Sequence, residues 1–475
     1  MTTLITNNII FLYKNLIKKG TDFMNDKSMK ENLQSFAVKK AISYLNEDPD
    51  KCLPELLNWA DTFDKDNLYL SQRDMFRTII KNPDNNWYRF VKSLWTDITP
   101  DVRKTFFENF IVNATLIGTA RQNKAREENN CNIPWAILID PTSACNLHCI
   151  GCWAAEYGNK LNMSYETLDK IVNQGKELGT YMYLFTGGEP LVRKNDIIKL
   201  CEAHPDCEFL AFTNGTLIDE EFADNMLKVK NFIPAISVEG FEAATDYRRG
   251  KGTFKAVINA MKILKDKKLP FGASCCYTSK NAESISSESY IDMLIENGAK
   301  FAWFFHYMPV GNDAVTDLLP TPEQRELMYH QIRKFRETKP IFTIDFQNDA
   351  EYVGGCIAGG RNYLHINANG DIEPCAFIHY SDSNINDKSL VEAYKSPLFM
   401  AYKNGQPFND NHLRPCPMLE NPKKLRDMVI SSGAHSTDLQ SPENPEHLCA
   451  KCIPYAHNWT NTADKLWKCS NGCNK

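Results

Sequence analysis

Between about residues 133 and 345 the chain alternates short apolar runs with amphipathic stretches, and this alternation constrains its fold more than any other feature. The apolar runs lie near 136–139, 181–185, 208–212, 234–238, 271–277 and 301–307. Each has the length of a strand and is too short to stand as a helix. The stretches between them repeat apolar residues at helical spacing, with Leu168, Ile171, Val172 and Leu178 in one and Phe254, Val257, Ile258, Met261 and Leu264 in another. Ser164 offers an N-cap to the first of these and Gly179 a stop. Such alternation predicts an α/β fold with a parallel sheet and right-handed crossovers. Functional groups in such a sheet gather beyond the C-terminal ends of its strands.

Those ends carry the unusual residues of this chain. Cys145-Asn146-Leu147-His148-Cys149-Ile150-Gly151-Cys152 follows the first strand. Three thiols on one loop can reach three corners of an iron–sulfur cube and leave one iron open, whereas a closed cluster takes four thiolates. Spacing alone leaves a zinc knuckle or three incidental core thiols as alternatives. Thr186-Gly187-Gly188-Glu189-Pro190 follows the second strand. Its glycines let the backbone approach a ligand closely, and Glu189 offers a carboxylate to an ammonium group. Thr213-Asn214-Gly215 follows the third strand, and Ser237-Val238-Glu239-Gly240 the fourth.

Taken together, the cysteine loop and the Gly-Gly-Glu-Pro turn resemble the radical S-adenosylmethionine (radical SAM) superfamily. The resemblance implies a partial (β/α)6 barrel. It also implies a 4Fe–4S cluster on Cys145, Cys149 and Cys152 whose open iron chelates the amino and carboxylate groups of SAM. One electron from the cluster then cleaves SAM to a 5′-deoxyadenosyl radical, which takes a hydrogen atom from the substrate. Gly187, Gly188 and Glu189 would form the ammonium site, with Asn214 as a polar contact in the same mouth. Ser237 and Glu239 stand where the family places ribose and sulfonium-side contacts, although many relatives have Asp at the latter position. Asp246-Tyr247-Arg248-Arg249-Gly250 resembles an Asp-x-x-Arg-Gly element, so Arg249, with Arg248 as its rival, would fork onto a carboxylate. Many relatives place an aromatic directly before the third cysteine. Here that residue is Gly151, and Trp153 comes after Cys152. Either Trp153 takes the role or the adenine packs near Phe305 to Pro309.

From about residue 346 the chain becomes loop-rich and cysteine-rich. Asn369-Gly370 between apolar alternations is a hairpin signal that returns Cys375 towards Cys356. This segment resembles the SPASM or Twitch extension of radical SAM enzymes and implies an auxiliary 4Fe–4S cluster. Cys356, Cys375, Cys416, Cys449 and Cys452 compete for its four places, and the full SPASM spacing after the Cys-x-x-Cys pair is missing. A zinc site on that pair is the rival reading. Cys469 and Cys473 read as structural or incidental, and Cys275 and Cys276 as buried thiols.

Residues 1 to about 130 read as helices with polar joints. Trp87, Phe90, Val91, Leu94 and Trp95 repeat at helical spacing after the Asn82–Asn86 turn, and Thr99-Pro100 reads as a helix start. The apolar stretch from Leu4 to Ile17 reads as an amphipathic helix, docked on the core or lying on a membrane surface, and not as a signal peptide. Three domains follow: 1–130 helical, 133–345 barrel, 346–475 auxiliary cluster.

A formal net charge of −5 gives no sign of a polyanion-binding protein, so nucleic acid is not expected as a main partner. Sixteen cysteines, ten of them in these motifs or the last third, favour metal ligation in a reducing, cytoplasmic setting over a disulfide scaffold. His306 and Tyr307 end the sixth strand and could act as proton acceptors or substrate anchors, as could Asp345, Asn348, Asp349, His379 and Tyr380. Three functions remain: a radical SAM enzyme acting on a small molecule, tetrapyrrole or lipid; a peptide or protein side-chain oxidase or cross-linker; and a non-catalytic iron–sulfur or zinc protein. The peptide-recognition modules of relatives contain strands, and residues 1–130 have no strand pattern, which favours the first. The intact ammonium-binding turn weighs against the third. The resemblance further implies a flavodoxin- or ferredoxin-type electron donor.

Overall fold

The computed structural model describes residues 48–63 and 70–472, so the Leu4 to Ile17 stretch and Cys473 lie outside the described residues. Six strands form where the apolar runs predict them: β1 (Ala136–Ile139), β2 (Met182–Phe185), β3 (Glu208–Thr213), β4 (Phe232–Ser237), β5 (Gly272–Tyr277) and β6 (Phe301–His306). They pair in sequence order and in parallel, and β7 (Phe342–Asp345) continues the row beyond β6. On the other edge β8 (Tyr363–Ile366) pairs in parallel with β1, and β9 (Ile372–Glu373) folds back on it antiparallel. The hairpin of the cysteine-rich segment is thus part of the nine-stranded barrel sheet.

Local signals set the helices on the outside. The helix Tyr165–Leu178 starts on Ser164, whose hydroxyl accepts the Thr167 amide at 3.0 Å, and stops at Gly179 with φ 93°. Leu168, Ile171 and Val172 are completely buried on its inner face. The helix Pro322–Thr338 opens with a capping box between Thr321 and Gln324. Thr99 stands at the N-cap of the helix Pro100–Phe106 as expected, but its hydroxyl makes no cap bond and donates instead to the Lys268 carbonyl at 3.1 Å, tying the N-terminal helices to the barrel. A π-helix, Phe107–Ile117, lies under the start of β3, where the Asn109 side-chain amide donates to the Cys207 carbonyl at 2.9 Å. Among the described residues no helix is long and apolar enough to cross a membrane.

Burial in the last strands runs opposite to that of a packed barrel. In β6 Ala302, Phe304 and His306 are buried against the helices, whereas Trp303 and Phe305 are partly exposed although they point to the barrel axis. Ser274 and Cys276 on β5 and Ile344 on β7 follow the same pattern. Side chains that fill a closed barrel are buried. Partly exposed ones at its centre line an open cavity.

Candidate active site

The Gly-Gly-Glu turn lies flat on the entrance of the cysteine loop. A Cβ on Gly188 would stand 2.2 Å from the Ala144 carbonyl oxygen, and one on Gly187, at φ 101°, 2.5 Å from that of Thr142. Glycine is therefore required here for contact with the loop itself, and the Glu189 amide donates to the Ala144 carbonyl at 2.8 Å. The Glu189 carboxylate is buried and accepts the Thr213 hydroxyl at 2.6 Å, the Asn214 amide at 2.7 Å and the Leu191 amide at 3.0 Å. Burial pushes its pKa above the usual carboxylate range. Asn214 donates to Asn146 at 2.8 Å. The ends of β2 and β3 thus lock the loop that carries the three thiols. Burial also raises the thiols of Cys145, to about 11, and of Cys149.

A second wall comes from the segment after β4. Glu239 is fully buried, and its Oε1 accepts from both Arg248 Nη1 and Arg249 Nε at 2.7 Å. Arg249 Nη1 also stands 3.9 Å from Cys149 Sγ, and the Ile150 amide donates to the Arg248 carbonyl at 2.9 Å. Two guanidiniums against one carboxylate leave a net positive charge beside the loop. Glu239 Oε2 and Arg248 Nε are buried without a hydrogen-bond partner. Such orphans call for an explanation, and a ligand bearing both a donor and an acceptor would satisfy them. Ser237 ends β4 beside this wall.

Gly151, at φ 67°, faces Tyr307: a Cβ there would stand 2.7 Å from the ring. The Tyr307 ring therefore fills the space that an aromatic at position 151 would need. Burial pushes its phenol to about 12. Gly151→Ala should lower stability by about 1–3 kcal/mol in thermal unfolding, through overpacking and left-handed strain. In a Tyr307→Ala background only the strain of about 1 kcal/mol should remain. Trp153 turns the other way, packing edge-on against His365 at 5.7 Å and Phe377 at 5.8 Å.

Several polar residues singled out in the sequence do not join this group. His306 is on the outward face of β6, with Nε2 2.6 Å from the Tyr455 hydroxyl, and burial holds its imidazole well below its ordinary pKa. Asp345 accepts from Asn348 at 2.8 Å on the same outer side, and Asp349 pairs with Arg336. His379 is held by Asp438 at 2.5 Å, and the Tyr380 hydroxyl donates to the Glu443 carbonyl at 3.1 Å.

Two features were not legible in the sequence. His365 bridges Asp140 at 2.8 Å and Glu373 at 2.6 Å, all three buried, and clamps β8 and β9 to the end of β1. Burial alone would lower the imidazole pKa, but the two carboxylates outweigh it and raise the value to about 10. No local pattern links residues 225 positions apart. Cys276 is the second. It faces the barrel interior, while Cys275 turns outward to the Tyr290 hydroxyl at 3.0 Å. The two-residue period of β5 puts them on opposite faces but does not say which face is the interior.

Of the five C-terminal cysteines the structure brings three together. Cys356, Cys375 and Cys416 line one apolar cavity of about 150 Å³ with Trp303, Phe346 and Phe377. Cys375 Sγ lies 2.7 Å from the Tyr363 hydroxyl, and Cys416 Sγ accepts the Leu419 amide at 3.4 Å. Burial raises the thiols of Cys356, to about 12, and of Cys375, to about 11. Cys449 and Cys452 are buried on the helix Pro445–Gly472, outside that cavity. Cys469 is exposed near the end of the same helix.

Among the described residues no three Cys, His, Asp or Glu side chains stand at the spacing of a single metal ion. Zn–S bonds of about 2.3 Å draw thiolates tightly around one centre, whereas a four-iron cube seats each thiol on a different iron. Two sets of soft thiols, one beside a guanidinium and one in an apolar cavity, suit iron–sulfur ligation.

Residues 139–280 match the family model of the Radical SAM superfamily. The chain carries a radical SAM domain. A 28% identical uncharacterized protein of Methanocaldococcus jannaschii aligns over 271 residues, 54% of this chain and 91% of the relative. Fe-coproporphyrin III synthase of Methanosarcina barkeri is 29% identical over 232 residues, 46% of this chain and 57% of the relative. Among solved structures, SuiB of Streptococcus suis bound to SAM superposes with a TM-score of 0.53 at 19% identity, covering 71% of this chain and 89% of that one. SuiB bound to its precursor peptide SuiA gives 0.52 at 21%, covering 66% and 78%. Proteins with a radical SAM domain are enzymes that use SAM and a 4Fe–4S cluster.

Proposed function

We propose that Cys145, Cys149 and Cys152 hold the catalytic 4Fe–4S cluster, and that the substrate is a flat, largely apolar small molecule of the tetrapyrrole class. The observation that carries the substrate class is the reversed burial of the last strands. Phe212 lies against Trp303 at 5.3 Å and Phe305 against Phe346 at 5.3 Å, and all four rings are partly exposed in the barrel interior. Aromatic faces at that density receive a planar ring system by offset or edge-on contact. The 29% identity to Fe-coproporphyrin III synthase supports the same class.

When bound, the cluster and SAM supply a 5′-deoxyadenosyl radical that removes a hydrogen atom from the substrate. The protein's own residues hold that chemistry in place. Glu189, fixed by three donors, keeps the Gly187-Gly188 turn against the cysteine loop and presents its remaining lone pairs to the SAM ammonium. Arg249 takes the SAM carboxylate, with Arg248 and Glu239 as its charge partners, while Ser237 and Asn214 border the same mouth. Tyr307 takes the packing role that an aromatic at position 151 would have, and Trp153 braces the loop from behind. Cys356, Cys375 and Cys416 serve as auxiliary cluster ligands. The described residues of the segment 1–130 act as a helical part, and 133–345 and 346–475 as barrel and auxiliary parts, the last lending β8 and β9 to the sheet. The reductant is a flavodoxin- or ferredoxin-type donor in a reducing, cytoplasmic setting.

Peptide modification is the second reading, supported by the likeness to SuiB with its precursor peptide. The described residues ahead of β1 contain helices and no strand, which disfavours a strand-bearing peptide module. Titrating iron coproporphyrin III into the reconstituted enzyme tests the choice. Tryptophan quenching with a Soret shift is expected, weakened about ten-fold or more by a Trp303→Ala, Phe305→Ala double change. No spectral change, together with precursor-peptide stimulation of SAM cleavage, would transfer the assignment to the second reading.

A guanidinium forked onto a carboxylate makes charge-assisted bonds worth roughly 1.5–3 kcal/mol. Arg249→Lys keeps the charge and loses the fork, so SAM affinity in calorimetric titration should fall about ten-fold or more with iron content unchanged. An unchanged dissociation constant would assign the role to Arg248.

A further inference from the structure

Arg325, from the helix Pro322–Thr338, is completely buried and has four hydrogen-bonding partners and one aromatic face. It pairs with Glu420 at 2.6 Å, donates to Asn348 at 3.0 Å, to the Tyr455 hydroxyl at 3.2 Å and to the Leu413 carbonyl at 3.3 Å, and lies 4.2 Å over Trp459. Tyr455 in turn meets His306 at 2.6 Å, so the histidine that ends β6 belongs to this junction. The other oxygen of the buried Glu420 carboxylate accepts the Cys416 amide at 2.7 Å, and the Glu420 amide donates to the Cys416 carbonyl at 3.1 Å. An anion is thereby clasped to the backbone of one proposed auxiliary ligand, and it also acts electrostatically on the thiols of Cys416 and Cys356.

We propose that Glu420 sets the reduction potential of the auxiliary cluster and that Arg325 is the positioning residue that holds it there. The inference rests on the reading of Cys356, Cys375 and Cys416 as cluster ligands. The potential of an iron–sulfur cluster follows the net charge, hydrogen bonding and solvent access around it. A buried carboxylate fixed to the Cys416 backbone, and acting electrostatically on the thiols of Cys416 and Cys356, disfavours the added electron and holds the potential down. The guanidinium stands behind the carboxylate and keeps it aimed at Cys416.

The test uses the full-length chain with Cys145, Cys149 and Cys152 changed to alanine, leaving the auxiliary cluster as the remaining paramagnetic centre. Its midpoint potential is read by EPR-monitored redox titration. Glu420→Gln keeps the shape and the hydrogen-bonding oxygen and removes the negative charge, so the potential should rise. Arg325→Gln leaves the anion uncompensated, so the potential should fall. Arg325→Lys keeps the charge and should leave the potential near that of the parent. The double change Glu420→Gln, Arg325→Gln restores neutrality, should return the value towards the parent, and serves if either single variant fails to fold. Shifts of opposite sign cannot come from mere loosening of the loop. Equal potentials in all cluster-bearing variants would overturn the proposal. A parent without any cluster signal would instead overturn the ligand assignment on which it rests.

Discussion

Changing Cys145, Cys149 and Cys152 together to alanine should abolish formation of 5′-deoxyadenosine from SAM under reducing conditions. It should also remove about four of roughly eight irons per chain, the content of two four-iron cubes. The fold should survive, because the three thiols lie on a loop and are only partly buried. The glycine turn and the Glu189 network that seat that loop do not depend on them. Liquid chromatography for the nucleoside and iron quantification for the clusters check both parts. Undiminished cleavage in the triple variant would sink the catalytic assignment. Loss of all iron, with one zinc remaining, would make the C-terminal site a zinc knuckle instead.

Stability should fall as pH rises through the alkaline range, because of the buried Asp140–His365–Glu373 clamp. His365 carries a folded pKa of about 10 against an ordinary 6.5. A base whose pKa is raised on folding contributes its stabilisation fully below the unfolded value. That contribution fades as pH climbs towards the folded value, so it is complete below about 6.5 and gone above about 10. A gap of this size corresponds to on the order of 5 kcal/mol. Urea unfolding at pH 6, 8 and 10 should give a midpoint that drops steadily. His365→Gln at pH 7 leaves two buried carboxylates without their cation, and breaking such a group costs about 3–5 kcal/mol. A pH-independent midpoint in the wild-type chain would show that the imidazole is neutral and the clamp an ordinary hydrogen-bonded contact.

Elements whose signal is local were legible before any coordinates. The strands β1 to β6 lie within a residue or two of their apolar runs, because hydrophobic period and strand length are properties of a short window. The same holds for the helix that Ser164 opens and Gly179 closes, and for the Asn369-Gly370 hairpin. The family resemblance likewise rests on two contiguous motifs. The sequence could not say which of two neighbours faces inward at the end of a strand. His306 looked like a cavity residue and is turned outward to Tyr455, while Cys276 looked like core and is turned inward.

Sequence alone therefore determined the α/β barrel, the three-thiol loop and the turn that accompanies it. Each of these is encoded within a few consecutive residues by spacing, glycine freedom and apolar period. Tertiary structure alone decided which three of five C-terminal thiols share a cavity, that Tyr307 fills the place left by Gly151, and that Arg325, Glu420 and Cys416 form one unit. These are meetings between segments tens to hundreds of positions apart. They are set by sheet register and by the pairing of buried charges, which no local window of sequence contains.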